Sequence, residues 1–219
     1  MTQPARENLL IEMAQSVEDF DDEKAIELVE FALKKNIDPV DIIEKGFAVG
    51  LRRVGARFGK GDAFLTELVA AANVMEVVSG RLSTELKAST RKREHVGKVL
   101  LGTVAGDIHS IGKNMLKAML EVGGFEVIDL GEDVNRGIFV DKVEELKPDI
   151  LGLSALMSTT ITEQKAVIQA LKEAGVRDTV KVMVGGAAVT EKWSKEIGAD
   201  AYAENASDAV KVALQLMRA

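Results

Sequence analysis

With 219 residues, 47% hydrophobic and 29% charged, the chain has a globular composition and a length that suits two modest domains better than one. Its apolar runs are too short to span a bilayer, and the first dozen residues lack the basic start and apolar block of a signal peptide, so a cytoplasmic protein with no membrane partner is expected. The absence of cysteine excludes disulfides, iron–sulfur clusters, thiolate zinc and thiol nucleophiles. A formal net charge of −7 argues against a nucleic-acid partner, and Arg91-Lys92-Arg93 reads as a solvated linker.

Over residues 7–87 the apolar positions recur at three and four: Leu9, Leu10, Met13 and Val17, then Ala25, Leu28, Val29, Ala32 and Leu33. That period predicts helices, and breaks at 19–22, 36–39 and 59–62 divide them into four of about 12 to 20 residues. Short connections make neighbours antiparallel, so residues 1–87 are expected to form a four-helix bundle. Residues 88–96 are polar and charged and are expected to be a linker.

From residue 97 the pattern changes. Short apolar runs at 99–104, 125–130, 150–156, 180–184 and 199–203 alternate with stretches long enough for crossover helices. The expectation is an α/β domain over 97–219 with a parallel, flavodoxin-like (Rossmann-like) five-stranded sheet covered on both faces. In the 2-1-3-4-5 strand order, the ligand crevice lies at the carboxyl ends of the first and third strands.

The first strand leads into Gly106-Asp107-Ile108-His109-Ser110-Ile111-Gly112. Asp107 and His109 are two apart, so in an extended loop their side chains leave the backbone on the same side. A carboxylate orienting an imidazole is how a metal-ligating histidine is held, which makes His109 the candidate ligand. His95 sits in a charged stretch without this arrangement. The third strand closes in Ser154-Ala155-Leu156-Met157-Ser158-Thr159-Thr160, whose hydroxyls would face the histidine loop, and the fourth ends in Gly185-Gly186, where a ligand can approach backbone. Each feature also has a plainer reading. Asp107, Ser110, Ser154, Ser158 and Thr160 could cap helices, His109 could be an exposed loop residue, and the glycines could make an ordinary turn. Convergence of three distant loops favours a site, and the missing Gly-x-Gly-x-x-Gly and Gly-x-x-x-x-Gly-Lys-[Ser/Thr] motifs disfavour dinucleotide and P-loop chemistry.

In order and spacing, Asp107-x-His109-x-x-Gly112, Ser154-x-Leu156 and Gly185-Gly186 resemble a cobalamin-binding domain. Residues 7–87, including the stretch 59–68, resemble the helical cap module that precedes that domain in methionine synthase and in the corrinoid proteins of methanol, methylamine, betaine and aryl-ether methyl-transfer systems. The resemblance implies cobalamin or a related corrinoid bound base-off and His-on, with His109 as lower cobalt ligand, Asp107 bonded to its imidazole and Thr160 extending the relay towards solvent. Methionine synthase has serine at the Thr160 position. Gly112, Ser154, Leu156, Ser158, Gly185, Gly186 and Ala206 fall at positions that hold the cofactor, mostly its displaced nucleotide tail. Phe64 and Leu65 match the part of the cap over the upper corrin face, although Thr66 stands where proline is common; bundle core is their plainer reading.

The resemblance further implies a non-autonomous methyl carrier. It would accept a methyl group on cob(I)alamin from a substrate-specific methyltransferase and hand it to a second methyltransferase acting on coenzyme M or tetrahydrofolate, and a reductive activase would rescue oxidised cofactor. The bundle would cap the methyl group at rest and swing about 88–96. Alternatives are a cobalamin-dependent sensor, which usually adds a basic DNA-binding segment, and the small subunit of an adenosylcobalamin mutase, which lacks the helical module. A receiver-like signalling domain would need an acidic cluster at the strand ends.

Overall fold

A computed structural model describes residues 3–88 and 95–218. The chain divides into two compact units, Met1–Glu94 and His95–Ala219. The expected linker at 88–96 lies mostly outside the described residues.

In the first unit, α1 (Gln3–Glu18) and α2 (Asp22–Lys34) are joined by a tight turn, and Asp21 caps α2 by accepting from the Lys24 N–H at 2.8 Å. Asp38 caps the next helix at Val40 N–H, with Pro39 in its first turn, where the missing amide proton costs nothing. That helix runs unbroken from α3 (Pro39–Asp41) through a π-helical segment (Ile42–Phe47) into α4 (Ala48–Lys60). Gly61, at φ +82°, ends it, and α5 (Leu65–Arg81) and the short α6 (Ser83–Ala88) follow. The π-helical segment and α6 are additions to the expected four helices. The wider turn buries Ile42, Ile43, Gly46 and Phe47 together, and Gly46 and Gly50 lie against α1. A Cβ on Gly46 would meet Met13 Sδ at 2.7 Å, and one on Gly50 would meet the Ala14 carbonyl oxygen at 2.2 Å.

The second unit is a five-stranded parallel sheet in the order β2-β1-β3-β4-β5, formed by β1 (Lys98–Thr103), β2 (Glu126–Asp129), β3 (Ile150–Ser154), β4 (Lys181–Gly185) and β5 (Ala201–Tyr202). Alternate residues point to opposite faces. Val99, Leu101, Ile150 and Met183 pack under α7 (Ile111–Val122) and α11 (Ala206–Leu216). Leu100, Leu151, Leu153, Val182 and Val184 pack under α8 (Arg136–Leu146), α9 (Ile161–Glu173) and α10 (Glu191–Ile197). Four of the strands, β1, β2, β3 and β5, stop short of their apolar runs. β1 ends at Thr103, with Val104 making an isolated bridge to Val134, and β3 ends at Ser154 because the Leu156 N–H turns to a side chain. No helix among the described residues is long and apolar enough to cross a membrane.

The close approach of α1 to α4 gives a direct test. Gly50→Ala forces a methyl group into backbone and is expected to destabilise the protein by about 1–3 kcal/mol. Gly59→Ala, on the same helix with nothing within 4 Å, should stabilise it by roughly 0.5–1 kcal/mol through helix propensity. Thermal melts of the two variants should move in opposite directions.

Candidate functional site

The loop after β1 begins with Gly106 at φ +78°, a left-handed turn that glycine accepts without strain. Its N–H donates to Asp133 Oδ1 at 2.7 Å, and the Asp133 N–H donates to the Asp107 carbonyl at 2.9 Å, so the β2–α8 connection holds the loop from one side. The Thr103 hydroxyl, buried at the end of β1, donates to the His109 carbonyl at 3.2 Å.

Asp107 has no solvent exposure. Its Oδ1 accepts from the His109 N–H at 3.0 Å and pairs with the imidazole Nδ1 at 2.8 Å. Its Oδ2 accepts from the Leu156 N–H at 2.7 Å, the Thr160 hydroxyl at 2.7 Å and, more distantly, the Met157 N–H at 3.4 Å. Burial by itself pushes this carboxyl up. The bonds from the His109 backbone, Thr160, the Leu156 backbone and the imidazole outweigh burial and hold it well below the usual carboxylate range. A carboxylate there accepts the proton on Nδ1, which leaves Nε2 as the nitrogen with a free lone pair. The His109 side chain is 47% exposed, so this nitrogen is accessible.

His109, Gly112, Ser154, Leu156, Gly185, Gly186 and Ala206 line one cavity of about 600 Å³, within the range that holds cofactor-sized ligands. It runs from the histidine loop down one face of the sheet beneath α7 and α11, where Leu101, Gly152 and Met183 are adjacent in register and also line it. Asp107 and Thr160 stand behind the imidazole. Thr160 is 6% exposed, and its hydroxyl also lies 3.0 Å from the Met157 carbonyl, so the hydrogen-bonded chain from the imidazole ends against backbone rather than open solvent. Ser158 is exposed and does not line the cavity. Phe64 is the N-cap residue of α5, 79% exposed and therefore not bundle core, and Leu65 is partly buried.

Two residues that sequence reasoning passed over belong to the surroundings of the site. Lys113, in the first turn of α7, is buried with its ammonium on Asp129, on Glu132 at 3.3 Å and on Asn114 Oδ1 at 3.2 Å. It ties the helix that follows His109 to the β2–α8 connection. Gln164 on α9 is completely buried. The signal for each was a long polar residue on the inward face of a predicted helix.

Among the described residues no group of three or more His, Cys, Asp or Glu side chains could hold a metal ion. One oriented imidazole beside a long, mostly apolar cavity suits a metal whose remaining ligands come with a bulky organic group. The exposed side chains of Ile108, Ile111 and Leu156 beside His109 would give such a group an apolar seat.

The depressed pKa of Asp107 makes a prediction for the ligand-free protein. Its contribution to stability is complete above the pKa of an unfolded aspartate, about 3.9, and is lost as the pH falls below that value towards the folded-state pKa. Asp107→Asn turns an acceptor towards several donors into a half-donor and should cost about 1–3 kcal/mol at neutral pH. The variant should also lack this part of the acid-induced loss, which urea melts at neutral pH and below about pH 4 would reveal.

Family comparison matches residues 97–211 to a B12 binding domain and residues 9–83 to a second model also described as a B12 binding domain. The chain is 47% identical over 205 residues to the trimethylamine corrinoid protein of Methanosarcina barkeri, covering 94% of each. It is 45% identical to dimethylamine corrinoid protein 2 of Methanosarcina acetivorans, covering 97% of this chain and 98% of that one. The crystal structure of the methanol:cobalamin methyltransferase complex from Methanosarcina barkeri superposes with a TM-score of 0.84 at 28% identity, over 96% of this chain and 80% of that chain. The motif at the end of β1, the cavity beneath α7 and α11 and these matches agree: the chain belongs to the B12-binding family of corrinoid proteins.

Proposed function

We propose that this chain is the methyl-carrying corrinoid protein of a methyltransferase system. The observation that carries the reading is a single imidazole, oriented by a buried carboxylate, at the mouth of a cavity able to take a nucleotide-sized tail. A bound corrinoid supplies a cobalt centre that accepts a methyl group and gives it up.

His109 Nε2 is the atom that would ligate cobalt, in a base-off, His-on arrangement. Asp107 keeps the Nδ1 proton in place, which fixes the tautomer and the ring plane, and raises the basicity of the ligating nitrogen. The Thr160 hydroxyl donates to the other carboxylate oxygen and stops Asp107 from rotating away. Ser154, Gly185, Gly186 and Ala206 line the slot that would receive the displaced tail, where Gly186 crosses so close to β3 that a Cβ would lie 1.8 Å from the Ala155 carbonyl oxygen. With a corrinoid bound, the cavity walls would shield the tail from water while the residues around His109 would orient the ring.

The partners are then a substrate-specific methyltransferase that loads the methyl group, a second methyltransferase that passes it to coenzyme M or tetrahydrofolate, and a reductive activase. Identity of 44–47% to relatives named for trimethylamine or dimethylamine, against 28% to the methanol complex, supports a methylated amine as the methyl source.

Reconstitution with methylcobalamin followed by gel filtration tests the reading. Wild type should retain stoichiometric corrinoid with a base-off, His-on visible spectrum. His109→Ala should lose the His-on signature and retain less cofactor. A colourless wild-type peak, under conditions that load another corrinoid protein, would overturn the assignment.

A further inference from the structure

Gln164 has no part in the reading above, yet its side chain meets the cavity wall from behind. It lies on α9, one turn after Thr160, on the face of the sheet opposite the cavity. Its Nε2 donates to the Leu153 carbonyl at 3.0 Å and to the Gly185 carbonyl at 3.2 Å, and its Oε1 accepts from Trp193 Nε1 at 3.1 Å. Both N–H groups and the oxygen of the amide are therefore used, as a fully buried amide requires.

These two carbonyls stand where β3 and β4 part. Up to Ser154 and Gly185 the strands are in register. Beyond, the Ala155 N–H still reaches the Gly185 carbonyl at 3.1 Å, but Leu156 turns to Asp107, and Gly186, at φ +126°, turns over Ala155. The parting of the chains makes the slot, and Leu153, Ser154, Gly185 and Gly186 line it. An apolar side chain of similar length would fill the space occupied by Gln164 without fixing either carbonyl. The amide clamps both and is itself fixed by Trp193, the one tryptophan in the sequence. Because Thr160 and Gln164 are successive turns of one helix, the start of α9 anchors both the imidazole's carboxylate and the slot wall.

We infer that Gln164 is a positioning residue for the nucleotide tail: it sets the separation of the β3 and β4 ends so that the slot accepts the tail of a complete corrinoid. The inference rests on the corrinoid-carrier reading. It predicts selective damage, because cobinamide, which has the corrin ring and cobalt but no nucleotide, does not need the slot.

The experiment measures binding of aquocobalamin and aquocobinamide to the full chain by visible titration, for wild type, Gln164→Met and Trp193→Phe, with a thermal melt of each. Gln164→Met should weaken cobalamin binding by about tenfold, the equivalent of one or two lost hydrogen bonds. Cobinamide binding should stay within about twofold, on the ground that its contacts at His109 are untouched. Trp193→Phe, which leaves the amide in place but frees its oxygen, should shift the cobalamin-to-cobinamide ratio the same way by about threefold. If Gln164→Met fails to fold, the ratio in Trp193→Phe decides. An unchanged ratio, or equal losses for the two ligands, overturns the assignment of Gln164 while leaving the carrier reading intact. A wild type that binds neither corrinoid overturns both.

Discussion

The site is organised around a carboxylate that water cannot reach. Burying the charge of Asp107 is costly unless donors surround it, and the donors come from its own loop and from the segment after β3, some fifty residues away. Satisfying one ion therefore closes two loops onto each other. It also explains why β3 stops where it does, since the Leu156 N–H that could have extended a ladder is taken by Oδ2. Thr160, immediately before α9, is drawn to the same oxygen, so the imidazole's orientation, the end of a strand and the start of a helix share one electrostatic cause.

The parallel sheet places that constraint next to a ligand cavity. In the order β2-β1-β3-β4-β5 the chain reverses its direction of growth between β1 and β3, and the loops after these strands part to leave a crevice. The crevice continues beneath α7 and α11 because small residues occupy its wall. Gly152, between Leu101 and Met183 in register, has no side chain of its own, and Leu101 lies across it. On the opposite face Gln164 secures the carbonyls of the same strands. The lower end of the cavity is thus defined by backbone separations, and the upper end by one imidazole.

Lys113 completes the frame in a different way. Its buried ammonium is balanced by Asp129 and Glu132, carboxylates at the end of β2 and in the connection after it. That connection also holds Gly106 and the Asp107 carbonyl through Asp133. The histidine loop is consequently braced by two independent polar contacts on one side and by the Asp107 bonds on the other, which fixes the direction of the imidazole.

Local pattern carried much of this architecture. The three-and-four period of the first eighty residues, the alternation of apolar runs after residue 97 and the two-residue spacing of Asp107 and His109 are all short-range features, and they suffice for a helical unit, a parallel strand-and-helix unit and the candidate ligand. What they could not disclose depends on contacts between distant segments. The π-helical turn at Ile42–Phe47 carries Gly46, which lies against Met13 of α1, a contact between distant segments. Ser158 faces solvent, away from the cavity, because the turn before α9 directs Thr160 to Asp107 instead. Lys113 and Gln164 were passed over because their roles depend on partners sixteen and twenty-one residues away. The sequence alone thus determined the two kinds of unit, most of their elements and the histidine that follows the first strand, since periodicity and spacing are written locally. Only the tertiary structure decided which polar groups are buried and paired, because burial is a property of the assembled sheet and helices.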